Sequence, residues 1–314
     1  MYRNLRSPLL SSCPVQTPAT IKMRATAQII ALALATGTTA LDILGITIPD
    51  GLFTGSWYGA PANDFNCVDP LGRNPVVMIH ALTASREVDL NLLHKNMTSE
   101  GWCVYAQTYG SPINPPLIGG LTEMTKSAKD IGAYIVEVAQ KKGGKVDIVG
   151  HSEGGVMALY VPMTQPKVAA VVDHAIALGP AVHGAHYFGL TDFFQALPDG
   201  LLKLLEAAVK PLCAACIDME NNDGDIYLAF KNSSKIVPDN INATVIMSNY
   251  DTLVPINVSR VDEPNVRNLI VQDFCPDDHL NHANLAWSES VWGMIKNELQ
   301  EVDAPFNCDT GGAF

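Results

Sequence analysis

The stretch Gly150-His151-Ser152-Glu153-Gly154-Gly155 holds the residue types and spacing that most directly offer chemistry. A serine hydroxyl is a poor nucleophile at neutral pH. It becomes a good one when a base takes its proton and a carboxylate orients that base. The flanks bear on whether this serine is presented for such work. Residues 145–149 (KVDIV) form a short, largely apolar run ending at Gly150, and Val156-Met157-Ala158-Leu159-Tyr160 opens a run of helix formers. Strand, G-x-S-x-G, helix is the layout of a nucleophile elbow, where the serine sits on a sharp turn with its hydroxyl exposed. Gly150 and Gly154 suit that turn because a Cβ at either place would collide with the adjoining strand or helix. The alternative is an ordinary glycine-rich loop, so the rest of the chain must supply partners.

On an elbow fold the order along the chain is serine, acid, histidine, with the last two on loops after late strands. His80, His94 and His151 precede the serine, His174 lies inside a strand pattern, and His183 and His186 fall before the remaining strands. His279 and His282 are left, both in the loop that begins at Cys275, and order alone leaves either open. For the acid, residues 244–250 (TVIMSNY) are a strand that runs straight into Asp251. Catalytic groups gather at the C-terminal edge of strands in open α/β sheets. Asp223 and Asp225 read instead as caps ahead of a helix, and Asp277 and Asp278 share the histidines' own loop. An oxyanion would need two backbone N–H groups. The residue after the serine, Glu153, supplies one, and Leu82, in the loop His80-Ala81-Leu82-Thr83, supplies the other.

The elements that must position these residues alternate. Residues 75–80 (PVVMIH) are a continuous apolar strand, of the kind buried on both faces of a parallel sheet. A helix is expected over 86–100, a strand over 102–106 and a strong amphipathic helix over 122–142, stopped by Gly143-Gly144. Further strands are expected at 171–178, 244–248 and 269–271, with a closing helix over 284–299. Such β-α alternation implies an α/β fold with a mostly parallel sheet and helices on both faces. Residues 184–221 break the rhythm with Phe188, Phe193, Phe194 and an apolar helix around 201–209.

Composition excludes some partners and suggests a compartment. With 314 residues, 47% hydrophobic, and a formal net charge of -12, the chain suits one large domain and lacks the basic surface that nucleic acid requires. The N-terminus carries Arg3, Arg6, Lys22 and Arg24 and no acid before Asp42. Met23-Arg24, the apolar run 29–35 and the small residues 38–40 read as a secretory signal cleaved after Ala40, with translation starting at Met1 or Met23. An acid-poor, Arg- and Ser-bearing start also fits a mitochondrial transit peptide. The run is far short of the ~20 residues of a membrane span, so no integral membrane protein is expected. Of seven cysteines, Cys13 lies in the removable segment, which leaves an even set that suits disulfides in an exported chain. Cys213-Ala-Ala-Cys216 has no second pair or histidine cluster to make a metal site and reads as a small disulfide. Four N-x-S/T sequons, at Asn96, Asn232, Asn242 and Asn257, fit a eukaryotic secretory route and a glycoprotein.

Several stretches together resemble the secreted microbial triacylglycerol lipases and esterases of the class 2 lipase type, within the α/β-hydrolase superfamily. They are Ala62–Cys67 with residues 75–85, Gly101-Trp-Cys103-Val-Tyr, residues 146–155, residues 177–184, Ser248-Asn-Tyr-Asp251-Thr-Leu-Val-Pro255, and residues 272–282. The resemblance covers about residues 55 to 300. It implies an α/β-hydrolase catalytic domain over 41–314, following the extension and signal read over 1–40; in a hydrolase 184–221 would be a small helical lid or cap, the alternative being a plain helical insertion packed on the core. It selects His282 rather than His279, because the family's histidine falls seven residues after the loop cysteine. It also implies the disulfides Cys67–Cys103, Cys213–Cys216 and Cys275–Cys308. Two positions depart from the family pattern: Ala81 stands where the oxyanion loop carries glycine, and Glu153 where glutamine follows the serine.

The combined expectation is a secreted serine carboxylic-ester hydrolase, a triacylglycerol lipase, working through Ser152, Asp251 and His282 with the amides of Leu82 and Glu153 as oxyanion donors. Its substrate would be a lipid or other carboxylic ester, met at a lipid–water interface, and no metal or organic cofactor is implied. A short-chain carboxylesterase or polyester hydrolase keeps the chemistry and changes the ester. An acyltransferase resolves the same acyl-enzyme with an alcohol. A non-catalytic α/β-hydrolase binding module is the rival outside enzymes, and such relatives typically lack the serine or histidine.

Overall fold

A computed structural model describes residues 41–43, 46–48, 62–112, 116, 118–184, 210–220 and 224–308. The expected signal over 1–40 lies outside the described residues, as do 185–209 and 221 of the expected lid, and Asp223, one of the two expected helix caps. Six strands form one sheet: β3 (Val76–Ile79), β4 (Val104–Ala106), β5 (Val146–His151), β6 (Val172–Leu178), β7 (Asn242–Met247) and β8 (Val266–Ile270). Their order is β4-β3-β5-β6-β7-β8 and every pairing is parallel, so all six end at the same edge. A separate antiparallel pair, β1 (Leu41–Ile43) and β2 (Ile46–Ile48), precedes them.

Period-two alternation divides the sheet residues between two apolar layers. Val77, Ile79, Ile148, Ala175 and Ala177 face one layer with α2 (Met124–Lys142), α3 (Glu153–Thr164) and α6 (Asp225–Asn232). Val76, Met78, Val149, Ile176 and Ile246 face the other, with α1 (Asn91–Ser99) and α9 (Glu289–Gln300). Parallel strands covered on both sides need apolar residues at nearly every position, which is why 76–79 reads as an unbroken run. Between these helices lie the short α4 (Pro166–Ala169), α5 (Ala214–Glu220), α7 (Ile256–Ser259) and α8 (Val271–Phe274). The Asp218 carboxylate of α5 accepts the Met124 N–H at 2.8 Å, satisfying one of the unpaired donors at the start of α2.

Some boundaries differ from the sequence reading for local reasons. The helix expected from 86 starts at Asn91, and the closing helix splits into a 3-10 turn (Ala283–Ala286) and α9, whose Ser288 side chain accepts the Val291 N–H. The strand expected at 269–271 is β8, starting at Val266; Arg267 and Asn268 hid it because an edge strand is half solvated. Asp225 is the first residue of α6 with Gly224 at the N-cap position, and no side chain caps that helix. All three expected disulfides form, Cys67–Cys103, Cys213–Cys216 and Cys275–Cys308. Among the described residues no helix is long and apolar enough to cross a membrane.

Candidate active site

Four loops at the C-terminal edge of the sheet carry the residues singled out by type and spacing. The first is the turn between β5 and α3. Ser152 sits there at φ 54°, ψ -117°, a strained conformation for a residue with a side chain. The glycines explain how the chain makes so tight a turn. A Cβ on Gly150 would lie 2.0 Å from the Gly154 carbonyl oxygen, and one on Gly154 would lie 2.0 Å from that of Ile79. The Ser152 N–H donates to the Leu178 carbonyl at 2.9 Å, fixing the turn to the end of β6.

The second loop follows β7. Asp251 is buried, and its carboxylate is fully engaged. Oδ1 accepts the N–H groups of Leu253 (3.0 Å) and Val254 (2.8 Å), while Oδ2 lies 2.6 Å from His282 Nδ1. The third loop, between α8 and the 3-10 turn, carries His282 and is braced from below. Ser248 Oγ donates to the Leu280 carbonyl at 2.6 Å, Gln272 Nε2 to the Asp278 carbonyl at 2.6 Å, and Ser290 Oγ to the Asp278 carboxylate at 2.6 Å. The two histidines that sequence order leaves open are thus separated by geometry. His282 meets Asp251, whereas His279 is exposed with its ring 4.2 Å from that of Tyr250. His282 Nε2 is buried and makes no hydrogen bond to any described residue, Ser152 included. Hydrogen bonds of this kind are often long without substrate and tighten when it binds. The Gly179 backbone lies against the pair; a Cβ there would sit 3.2 Å from both Asp251 Oδ2 and His282 Cε1.

The loop after β3 holds Leu82. Its conformation rests on His80, which is buried and stacked on Tyr109 with ring centroids 4.3 Å apart. The Tyr109 N–H donates to His80 Nε2 at 3.2 Å, so Nδ1 carries the proton and donates to the Ala81 carbonyl at 2.8 Å. Burial lowers His80 from its ordinary value, which keeps the ring neutral in that tautomer. The left-handed residue in this loop is Thr83, at φ 57°, and Ala81 is not. Alanine in place of glycine therefore meets no backbone strain at position 81. Glu153 is wholly buried, with the Tyr109 hydroxyl and Asp218 as its polar surroundings, and burial pushes its carboxyl well above the usual carboxylate range. Burial thus favours its neutral form, which is close in shape and charge to the glutamine of the family pattern. Gly120, at φ 66°, passes between it and the oxyanion loop; a Cβ there would lie 2.6 Å from Glu153 Oε2 and 3.1 Å from Leu82 Cα.

Chain order set aside one group that the structure brings to the same edge. His151, next to Ser152, and Asp89, just before α1, are both buried and joined at 2.8 Å. The adjacency of His151 to the serine was the signal available in the sequence; Asp89 had none.

A serine on a strained strand-to-helix turn and an Asp–His pair on a later loop, both at the C-terminal edge of a parallel sheet, fit an α/β-hydrolase fold. The chain belongs to the class 2 lipase family, whose model matches residues 73–289. Among solved structures it is similar to Aspergillus fumigatus lipase B, with TM-score 0.56 and 14% identity over 87% of this chain and 61% of that one. It also resembles a soluble variant of the monoglyceride lipase of Saccharomyces cerevisiae in complex with a substrate analog, with TM-score 0.51 and 14% identity over 74% and 88% of the two chains. A third is a Bacillus licheniformis lipase in propeptide form, with TM-score 0.52 and 14% identity over 82% and 55%. The chain thus spans about three fifths of the Aspergillus protein's length. No curated protein matches it significantly in sequence.

Proposed function

We propose that this protein is a serine carboxylic-ester hydrolase that acts on lipid esters, a triacylglycerol lipase, exported from the cell. Ser152 attacks the ester carbonyl. His282 Nε2 takes its proton and returns it to the leaving alcohol, while Asp251 holds the imidazole with Nδ1 protonated and stabilises the charge it gains. The amides of Leu82 and Glu153 bind the oxyanion, and water then resolves the acyl-enzyme by the same base. The observation that carries this reading is the Asp251–His282 pair at 2.6 Å, whose outer nitrogen is left without a hydrogen bond at the sheet edge where Ser152 turns. Family membership supports the ester-hydrolase chemistry, and the three disulfides support export.

Chain-length preference is read from hydrolysis of p-nitrophenyl esters of rising acyl length alongside an emulsified triglyceride. The proposal expects activity on long-chain esters and on the emulsion. Activity confined to short, soluble esters would replace the lipase reading with that of a carboxylesterase.

A further inference from the structure

We propose that Asp89 and His151 are positioning residues for this reaction, a second Asp–His pair that ties the oxyanion loop, the nucleophile turn and the base loop into one unit. The proposal rests on the reading of Ser152 and His282 above.

Asp89 bridges two loops with its two oxygens. Oδ2 accepts the N–H of Ala81 at 2.7 Å, one peptide before the Leu82 amide, and Oδ1 lies 2.8 Å from His151 Nδ1. The other nitrogen of His151, Nε2, lies 3.0 Å from the backbone carbonyl oxygen of His282. A continuous path therefore runs from the Ala81 amide through Asp89 and His151 to the main chain of His282. Its middle member is the immediate neighbour of Ser152. The Asp89 carbonyl accepts Trp287 Nε1 at 2.7 Å, which anchors the acid to the segment leading into α9.

Proton accounting fixes the state of this path. A carboxylate and a carbonyl can only accept, so both nitrogens of His151 must donate and the ring is an imidazolium. Burial opposes that charge. The Asp89 carboxylate, the His282 carbonyl and, more remotely, Asp251 outweigh it and raise His151 above its ordinary value. Asp89 stays ionised for the matching reason: burial disfavours its charge, but His151 and the Ala81 N–H hold it below the usual range. The ring of His151 lies 5.1 Å from that of His282, so the base works beside a charge that Asp89 already balances.

A buried pair of opposite charges is weak as a source of stability but effective at fixing geometry. Here the geometry it fixes is that of the proposed oxyanion donor relative to the base. Loss of the link should therefore act on the transition state rather than on substrate binding.

Asp89→Asn turns an NH2 toward one of two donors, and His151→Gln keeps a donor but removes the charge. Each is expected to lower kcat by about 10- to 100-fold with KM within about 2-fold of wild type. The double variant should be no worse than the poorer single, because a unit is broken once. A kcat within about 2-fold of wild type, a loss carried by KM, or losses that multiply in the double variant would overturn the proposal. Should either variant fail to fold, nitrogen-15 NMR of the histidines in the wild-type enzyme still decides. Two protonated ring nitrogens on His151 at about pH 8, where an ordinary histidine is neutral, support it; one bare nitrogen overturns it. Ser152→Ala runs in the same assay. Activity that survives it removes the Ser152 reading and the pair's role with it, whereas activity lost there but kept in Asp89→Asn removes the pair alone.

Discussion

The two edges of the central sheet each carry Asp–His pairs, and they are built for different ends. At the C-terminal edge, Asp251 holds one nitrogen of His282 at 2.6 Å while the other is left without a hydrogen bond. At the N-terminal edge, His174 Nδ1 lies 3.1 Å from Asp147 and its Nε2 lies 3.3 Å from Glu301. Asn74 closes that cluster by donating to Asp147 at 3.1 Å and to Asp173 at 3.0 Å. A ring with both nitrogens facing carboxylates is a cation that has nothing left to accept with. The Asp147 hydrogen bond, working against burial and helped by Glu301 and Asp173, raises His174 to about 9. Only an Asp–His pair whose second nitrogen is kept free can serve as the general base proposed for His282. Otherwise it is a clamp between strands.

That contrast makes separable predictions. Variants of the Asp251–His282 pair should lower turnover far more than they move the melting temperature; variants of the His174 cluster should do the reverse. The largest effect is expected for His282→Ala and Asp251→Asn, each lowering kcat by about 10⁴-fold, read in an ester assay alongside a melt. A His279→Ala control, at an exposed ring that does not reach Asp251, should keep kcat within about 2-fold.

Next comes Glu153→Gln. Burial in the folded protein favours the protonated carboxyl, while the unfolded chain releases the proton above its ordinary value of 4.5. Wild-type stability is therefore lost as pH rises above that value, and the glutamine is spared this loss. The variant should melt higher than wild type at pH 7, with the gap closing toward pH 4.5.

The smallest effect belongs to His174→Ala. A folded-state value raised from 6.5 to about 9 contributes stability that is complete below pH 6.5 and lost as pH passes 9. Melts of the variant should fall below wild type at pH 6 and converge with it above pH 9, with kcat unchanged at pH 7.

Much of this was legible in the sequence, and the gaps have physical causes. Doubly covered parallel strands write themselves as apolar runs, so β3, β5 and β6 were readable, and glycines at 150 and 154 mark a turn where any Cβ would strike backbone. Chain order led to Asp251 and to a loop with two histidines, but order carries no distances, and the resemblance was needed to choose between them. Asp89 was invisible because its partners lie 8 and 62 residues away and no local pattern connects them. The position of His151 before the serine excludes it as the base, and an ordering role leaves no spacing rule by which to find it. Edge strand β8 was read short for the opposite reason to β3: its polar face belongs to solvent.

Covalent labelling tests the central claim most directly. A fluorophosphonate should phosphonylate the folded wild-type protein stoichiometrically, with the added mass on the peptide that contains Ser152, and should leave Ser152→Ala unlabelled and inactive. A label on any other residue, or a Ser152→Ala protein that still reacts or still hydrolyses esters, would contradict the account.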